Sequence, residues 1–280
     1  MVSFPPTRSP NEDYPEPTDE ADARASKTGF KAARRNQWLP YLHEALSPEE
    51  AIELVDWVRT ALVSPAAARR NAGGLLGLMQ VTGLPLELVL SSPVSDASSN
   101  SAFTPEGTWR KKILREPRAW TAQLAQLPLL RRWTNRVTFD MPIELKRWLR
   151  AVTRGGMHTT LSHALKLDLK TADTMVREAL QIVRTQRGGH QTLGRVQHWL
   201  SMAVHRASHD HVVAHLVAAT PADPPQASAY YRAYPSTSLE SVHRQALDSA
   251  GWRFDDVQAG RNDVDAWVGS QLNPEPESMR

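Results

Sequence analysis

The stretch 192–231 constrains the fold most. It reads TLGRVQHWLSMAVHRASHDHVVAHLVAATPADPPQASAYY. Apolar residues recur at helical spacing through two segments, 192–207 and 209–219. A polar, proline-bearing break follows, then a tyrosine pair, Tyr230 and Tyr231. Two amphipathic helices in succession must each bury a face, so this part of the chain has to pack against a core built elsewhere. Ser208 lies at the junction and is suited to cap the second segment.

That core is supplied upstream. Ser47-Pro48-Glu49-Glu50 combines an N-cap serine, proline at the first helical position and acids in the first turn. Ile52, Val55, Trp57, Val58 and Leu62 then follow at helical spacing. Ser64-Pro65 repeats the start signal for a helix with Leu75, Leu76, Leu78 and Met79, among which Gly73, Gly74 and Gly77 permit close packing against a neighbour at some cost in propensity. Residues 91–107 read as loop, and 109–114 and 136–140 as short strands. Pro142 opens a helix with Leu145, Trp148, Leu149 and Val152, which Gly155-Gly156 ends. Further helices are expected over 161–167, 169–186, 192–207, 209–219, 225–233 and 237–250, with one last turn over 263–268. The expected class is mainly α with a small antiparallel sheet (α+β). Residues 1–36 are polar and proline-bearing and read as a disordered tail. A mostly helical domain spans 37–250, with its β element near 108–140. A partly disordered extension covers 251–280.

Composition narrows the chemistry. The 280 residues contain no cysteine, which excludes disulfides and thiolate metal sites. No apolar run approaches the ~20 residues that a membrane span needs. The first 30 residues lack the apolar segment of a secretion signal, so a cytoplasmic protein with no membrane partner is expected. There is no Walker loop, Gly-x-Gly-x-x-Gly, Gly-x-Ser-x-Gly or His-Glu-x-x-His, and no cofactor is expected. His205, His209, His211 and His215 form two i,i+4 pairs, but one helix cannot aim both pairs at one ion, and no metal is expected.

Charge is the positive signal. Net charge is +3, yet residues 101–150 hold 11 Lys+Arg against 4 Asp+Glu, 151–210 hold 8 against 4, and 240–280 hold 4 against 8. A basic middle between acidic flanks is the pattern of a polyanion-binding face. Within it, Arg110, Lys111, Lys112, Arg131 and Arg132 lie among Trp109, Trp120 and Trp133. Tryptophans so spaced fit a core better than a base-stacking platform, so the cations carry the DNA-binding expectation, with Arg195 from the later helix.

In layout the chain resembles the tyrosine recombinase (phage integrase) catalytic domain over roughly 65–250. The segment 78–88 (LMQVTGLPLEL) is similar to that family's apolar helix, Thr-Gly-x-Arg-like turn and following helix, matched at Thr82, Gly83, Leu84, Glu87 and Leu88. Pro85 stands where the first catalytic arginine belongs. The segment 137–149 (VTFDMPIELKRWL) resembles the family's strand, proline and helix, and Lys111-Lys112 lie near the hairpin that carries its lysine. At 192–198 (TLGRVQH), Gly194 and Gln197 stand at the positions of the His-x-x-Arg box, and His198 matches a histidine that often follows. Arg195 is about 200° around the helix from Gln197. Leu216-Val217-Ala218-Ala219 corresponds to a Leu-Gly-His segment and holds no histidine. The resemblance implies a tyrosine-recombinase-like fold, a nucleophile at Tyr231 or else Tyr230 (with Tyr234 a third choice), and double-stranded DNA as partner. It also implies association with itself or a related recombinase. With both arginine positions empty, it points to a catalytically degenerate accessory or partner subunit in DNA recombination or mobile-element integration. An all-α interaction scaffold without nucleic-acid binding and an active recombinase with relocated arginines are the alternatives.

Overall fold

Ser47 starts the first helix, α1 (Pro48–Leu62). Its Oγ accepts from the Glu50 N–H at 3.2 Å while Glu50 Oε2 accepts from the Ser47 N–H at 2.9 Å. This reciprocal box satisfies two donors that a helix start leaves over. The computed structural model describes residues 45–95, 101–113, 134, 136–154, 160–218, 233–255 and 266–269. All of these lie within the compact unit Pro40–Arg280.

Helix α2 (Ala67–Thr82) is the centre of the molecule. Every residue from Ala72 to Thr82 is buried, so this helix is enclosed on all sides. The three glycines set how closely its neighbours approach. A Cβ on Gly73 would stand 2.8 Å from Ala61 Cβ of α1, one on Gly74 would enter the Trp148 ring at 2.2 Å, and one on Gly77 would meet Leu145 Cδ2 at 2.6 Å. Trp148 and Leu145 belong to α4 (Ile143–Thr153). Helices α6 (Leu169–Arg187) and α7 (Leu193–Ser208) pack on the remaining sides. The short α3 (Leu86–Ser91) and α5 (Leu161–Leu165) pack on each other, and α3 also on α6.

A three-stranded antiparallel sheet lies beside this bundle, in the order β1 (Ala102–Phe103), β2 (Thr108–Lys112), β3 (Arg136–Asp140). Trp109 opposes Phe139 across β2 and β3, with ring centroids 5.3 Å apart. Helix α9 (Ser236–Ser249) packs on β3 and on α7, and the Phe139 ring lies 4.7 Å from the ring of His243. Between α7 and α9 runs α8 (His211–Val217). A second pair, β4 (Ala233–Pro235) and β5 (Trp267–Gly269), places Tyr234 opposite Val268. Lys146 of α4 joins the layers, with Nζ 2.9 Å from Asp140 and 3.1 Å from Asp255.

The described chain is thus mainly helical with a small antiparallel sheet, the expected class. The start signals at Ser47 and the helices expected over 169–186, 192–207 and 237–250 form within one or two residues of their expected ends. Three readings change. Residues 91–107 contain β1, whose two residues gain their ladder only from β2. The turn expected over 263–268 ends in a strand, because β4 supplies a partner from a distant part of the chain. The core also continues past 250, where Trp252 is buried against Gly77. The expected helix over 225–233 falls outside the described residues except for Ala233, which is strand; the tail 1–36 lies outside them too. Among the described residues no helix is long and apolar enough to cross a membrane.

The glycine contacts make a paired prediction. Gly74→Ala drives a methyl into the Trp148 ring and is expected to lower unfolding free energy by about 2–3 kcal/mol. Gly194→Ala on α7, where nothing lies within 4 Å of the new Cβ, is expected to raise it by about 0.5 kcal/mol. Urea titration of both variants checks this. Equal small effects would mean that α4 does not approach α2 as described.

Candidate functional site

Strand alternation decides which cations face outward. Successive β residues point to opposite faces, so Trp109 and Lys111 share one face of β2 and Arg110 and Lys112 the other. On β3, Val137 and Phe139 are fully buried while Arg136 is exposed and Thr138 half-buried. The register sets Arg110 against Thr138 and Lys112 directly against Arg136. Like charges directly opposed on one sheet face are destabilising, and with Arg110 two residues away they make a ribbon of concentrated positive charge.

Lys111 turns the other way, contrary to the expectation that it contacts DNA. Its Nζ donates to the carbonyls of His215, Leu216 and Ala218 at 3.1, 2.8 and 2.7 Å, at the C-terminal end of α8. The alternation that turns its two half-buried neighbours to the other face points this lysine toward α8, and the carbonyls that a helix end leaves without donors receive it. Burial pushes its amine down to about 7; the three carbonyls and the negative end of α8 act in the opposite sense. Close by, His243 of α9 is buried with Nε2 2.9 Å from the Val81 carbonyl. Because a carbonyl only accepts, Nε2 carries the proton of a neutral ring. Burial foremost, and the Lys111 charge in addition, push His243 down to about 4.

Arg195 is also committed internally, against the expectation that it faces DNA. It sits in the first turn of α7, whose N-cap Thr192 accepts from its N–H. Its guanidinium binds Glu50 through two bonds of 2.9 and 2.6 Å, the Ala45 carbonyl through two of 3.1 and 2.9 Å, and the His190 carbonyl at 2.8 Å. Glu50 also accepts from the His190 N–H at 2.8 Å, so one carboxylate closes the start of α1 and one guanidinium ties it to α7. These donors hold the Glu50 carboxyl below its ordinary value against the burial that would raise it.

The two box positions carry no charge. Gly83 ends α2 in the left-handed region at φ 71°, Thr82 Oγ1 donates to the Leu78 carbonyl and accepts from the Leu84 N–H, and Pro85 starts α3. Gln197 and His198 lie half-buried on α7. Arg131, Arg132, Tyr230 and Tyr231 lie outside the described residues. The phenol of Tyr234 donates to Asp210 Oδ2 at 2.6 Å. Among the histidines, His209 ends α7 in the left-handed region, and Asp210 rather than Ser208 caps α8. Ser208 instead bonds back to the Val204 carbonyl. No group of three or more His, Cys, Asp or Glu among the described residues could hold a metal ion. Arg136 belongs to the same interleaved run of cations and aromatics in the sequence, and its alternation with Val137 and Phe139 places it outward. Sequence reasoning missed His243 and Asp210, which nothing local distinguishes.

The buried ring has a measurable consequence. His243 gains its proton near pH 4 in the fold but near 6.5 when unfolded, so between those values the unfolded state binds more protons. Stability therefore falls as pH drops through that window, by about 3 kcal/mol in all. His243→Gln keeps a donor for Val81 and is expected to flatten the dependence. A slope as steep in the variant as in the wild type, by urea denaturation at several pH values, would assign the effect to another group.

With this geometry in place, comparison with known proteins adds no assignment, since no protein family, curated protein or solved structure matches the chain.

Proposed function

We propose that this chain is a double-stranded-DNA-binding protein with a tyrosine-recombinase-like domain. It serves as a catalytically degenerate accessory or partner subunit in DNA recombination or mobile-element integration. The observation that carries the reading is the outward face of β2 and β3. Arg110, Lys112 and Arg136 share it, and Lys112 and Arg136 are directly opposed. Cations on one sheet face can neutralise phosphates without reading bases. The order of elements supports the family part of the reading: a buried helix ending in Thr82-Gly83, a three-stranded sheet, and then the helices leading to Tyr234.

Degeneracy follows from the side chains. Attack on a phosphodiester builds charge on oxygens that already carry it, and fixed positive donors must meet that charge. Pro85 and Gln197 offer none, Arg195 is bound to Glu50, and Lys111 is bound to α8. The inward turn of those two cations is what favours the second reading, an interaction scaffold whose remaining arginines only solvate the surface.

Duplex binding measured across a salt series separates the two. The DNA reading predicts affinity that falls steeply with salt. It also predicts a slope of log Kd against log salt reduced by about 3 in Arg110→Ser/Lys112→Ser/Arg136→Ser, since each phosphate contact contributes about 0.9. No binding at low salt, or a slope untouched by the triple change, supports the scaffold. On a nicked suicide duplex no covalent adduct is expected. An adduct that disappears in Tyr231→Phe would establish an active enzyme with relocated arginines.

A further inference from the structure

We infer that Lys111 is a positioning residue, an ammonium clamp that fixes the end of α8 and ties it to the strand whose outward side chains form the proposed DNA face. The inference rests on that reading for its second half only. Helix α8 has seven residues, far too few to persist by itself in water, so side chains must hold both ends. At its start, Asp210 Oδ1 accepts from the Val212 N–H at 2.8 Å while Oδ2 accepts from Tyr234. At its finish, three carbonyls converge on one Nζ. An ammonium has three protons and no lone pair, which matches three acceptors, and the negative pole of the helix adds to the attraction.

The consequence is geometric. The chain leaves α8 at Ala218, whose carbonyl Lys111 holds, and returns at β4, where Tyr234 bonds Asp210, the N-cap of the same helix. Both ends of the span that contains Tyr230 and Tyr231 are therefore referred to one short helix, about 10 Å long at 1.5 Å per residue. Lys111 is what joins that helix to β2. Its neighbours Arg110 and Lys112 point the opposite way, so Lys111 links the strand that carries them to the end of α8. The elements packed here also carry His211 and His215 on α8, Glu240, His243, Arg244 and Asp248 on α9, Arg136 and Asp140 on β3, and Arg110 and Lys112 on β2; β3 turns Val137 and Phe139 inward. In the tyrosine recombinase pattern a lysine of this hairpin is catalytic. Here the geometry gives Lys111 a different role, because an amine spent on three main-chain carbonyls is not directed at a leaving group.

Amide hydrogen exchange and duplex affinity, measured together on the full chain, test this. Lys111→Met is expected to speed exchange across 212–218 at least tenfold, to leave the amides of α2 unchanged, and to keep duplex Kd within threefold. Lys112→Ser is expected to do the reverse, weakening the duplex and leaving α8 protected. Unchanged protection in Lys111→Met, or a loss of affinity as large as that in Lys112→Ser, overturns the clamp. If Lys111→Met does not fold, the wild type decides by NMR of its lysine amines. The clamp requires one Nζ with slowly exchanging protons close to α8, and fast exchange at every lysine Nζ overturns it. If the wild type binds no duplex, the DNA reading fails alone, and exchange at α8 still decides the clamp.

Discussion

The structure depends on how closely α1 and α4 approach α2. A helix enclosed from Ala72 to Thr82 has no polar face to turn outward, so its neighbours must supply a surface on each side. The glycines make that possible by letting the Trp148 ring and the Leu145 side chain lie where a methyl would otherwise stand. Glycine in a helix interior lowers propensity by up to about 1 kcal/mol per residue. Burial of Trp148, Leu145 and Trp252 outweighs this, at about 25 cal/mol for each Å² of apolar surface removed from water. The sheet and the later helices take their positions from this core: Trp252 closes over Gly77, and His243 reaches the Val81 carbonyl at the far end of α2.

Once the core is set, local periodicity distributes the charges. In β2 a run of three cations cannot face one way, so the middle one must enter the protein, and it does so where a helix end offers acceptors. In α7 the position of Arg195, in the first turn beside its cap, brings it to the acid that caps α1. A guanidinium with five donors matches the fork of Glu50 and two carbonyls better than an ammonium would. Both cations are therefore structural by placement, while Arg110 and Lys112 share the other face of β2 with Arg136 across the ladder.

Legibility in the sequence follows the range of the interaction. The start at Ser47 was readable because a cap acts on a donor three residues away, and Asp168 and Thr192 act over the same distance. The glycine positions were readable because small residues in an apolar helix have few other uses. Trp109 and Trp148 were rightly assigned to the core, where their indole N–H groups find no acceptor among the described residues and the rings act as apolar wedges. The inward turn of Lys111 was half readable, since alternation predicts it once the strand is fixed, but its acceptors lie more than a hundred residues away. The bond between Arg195 and Glu50 spans 145 residues, and β4 and β5 meet from positions that share no local signal. Long-range pairing of that kind is invisible to a reading based on spacing.

The turn between α2 and α3 and the first turn of α7 hold their shape without a charge at Pro85 or Gln197. Proline at position 85 has the fixed φ and the missing N–H that suit the residue before a helix, and its φ of −65° lies at that value. An arginine there would add nothing to the turn, because Gly83 already ends α2 and Thr82 already satisfies the Leu78 carbonyl and the Leu84 N–H. The turn is thus specified by Thr82 and Gly83, with Pro85 fitting the start of α3, and none of the three needs a charge. The same holds at Gln197, since Val196, Trp199 and Leu200 supply the buried face of α7 and Arg195 its anchor. The residues that hold these two helix starts are therefore apolar, small or internally bonded ones, and a phosphoryl-transfer site would need charged groups of a different set.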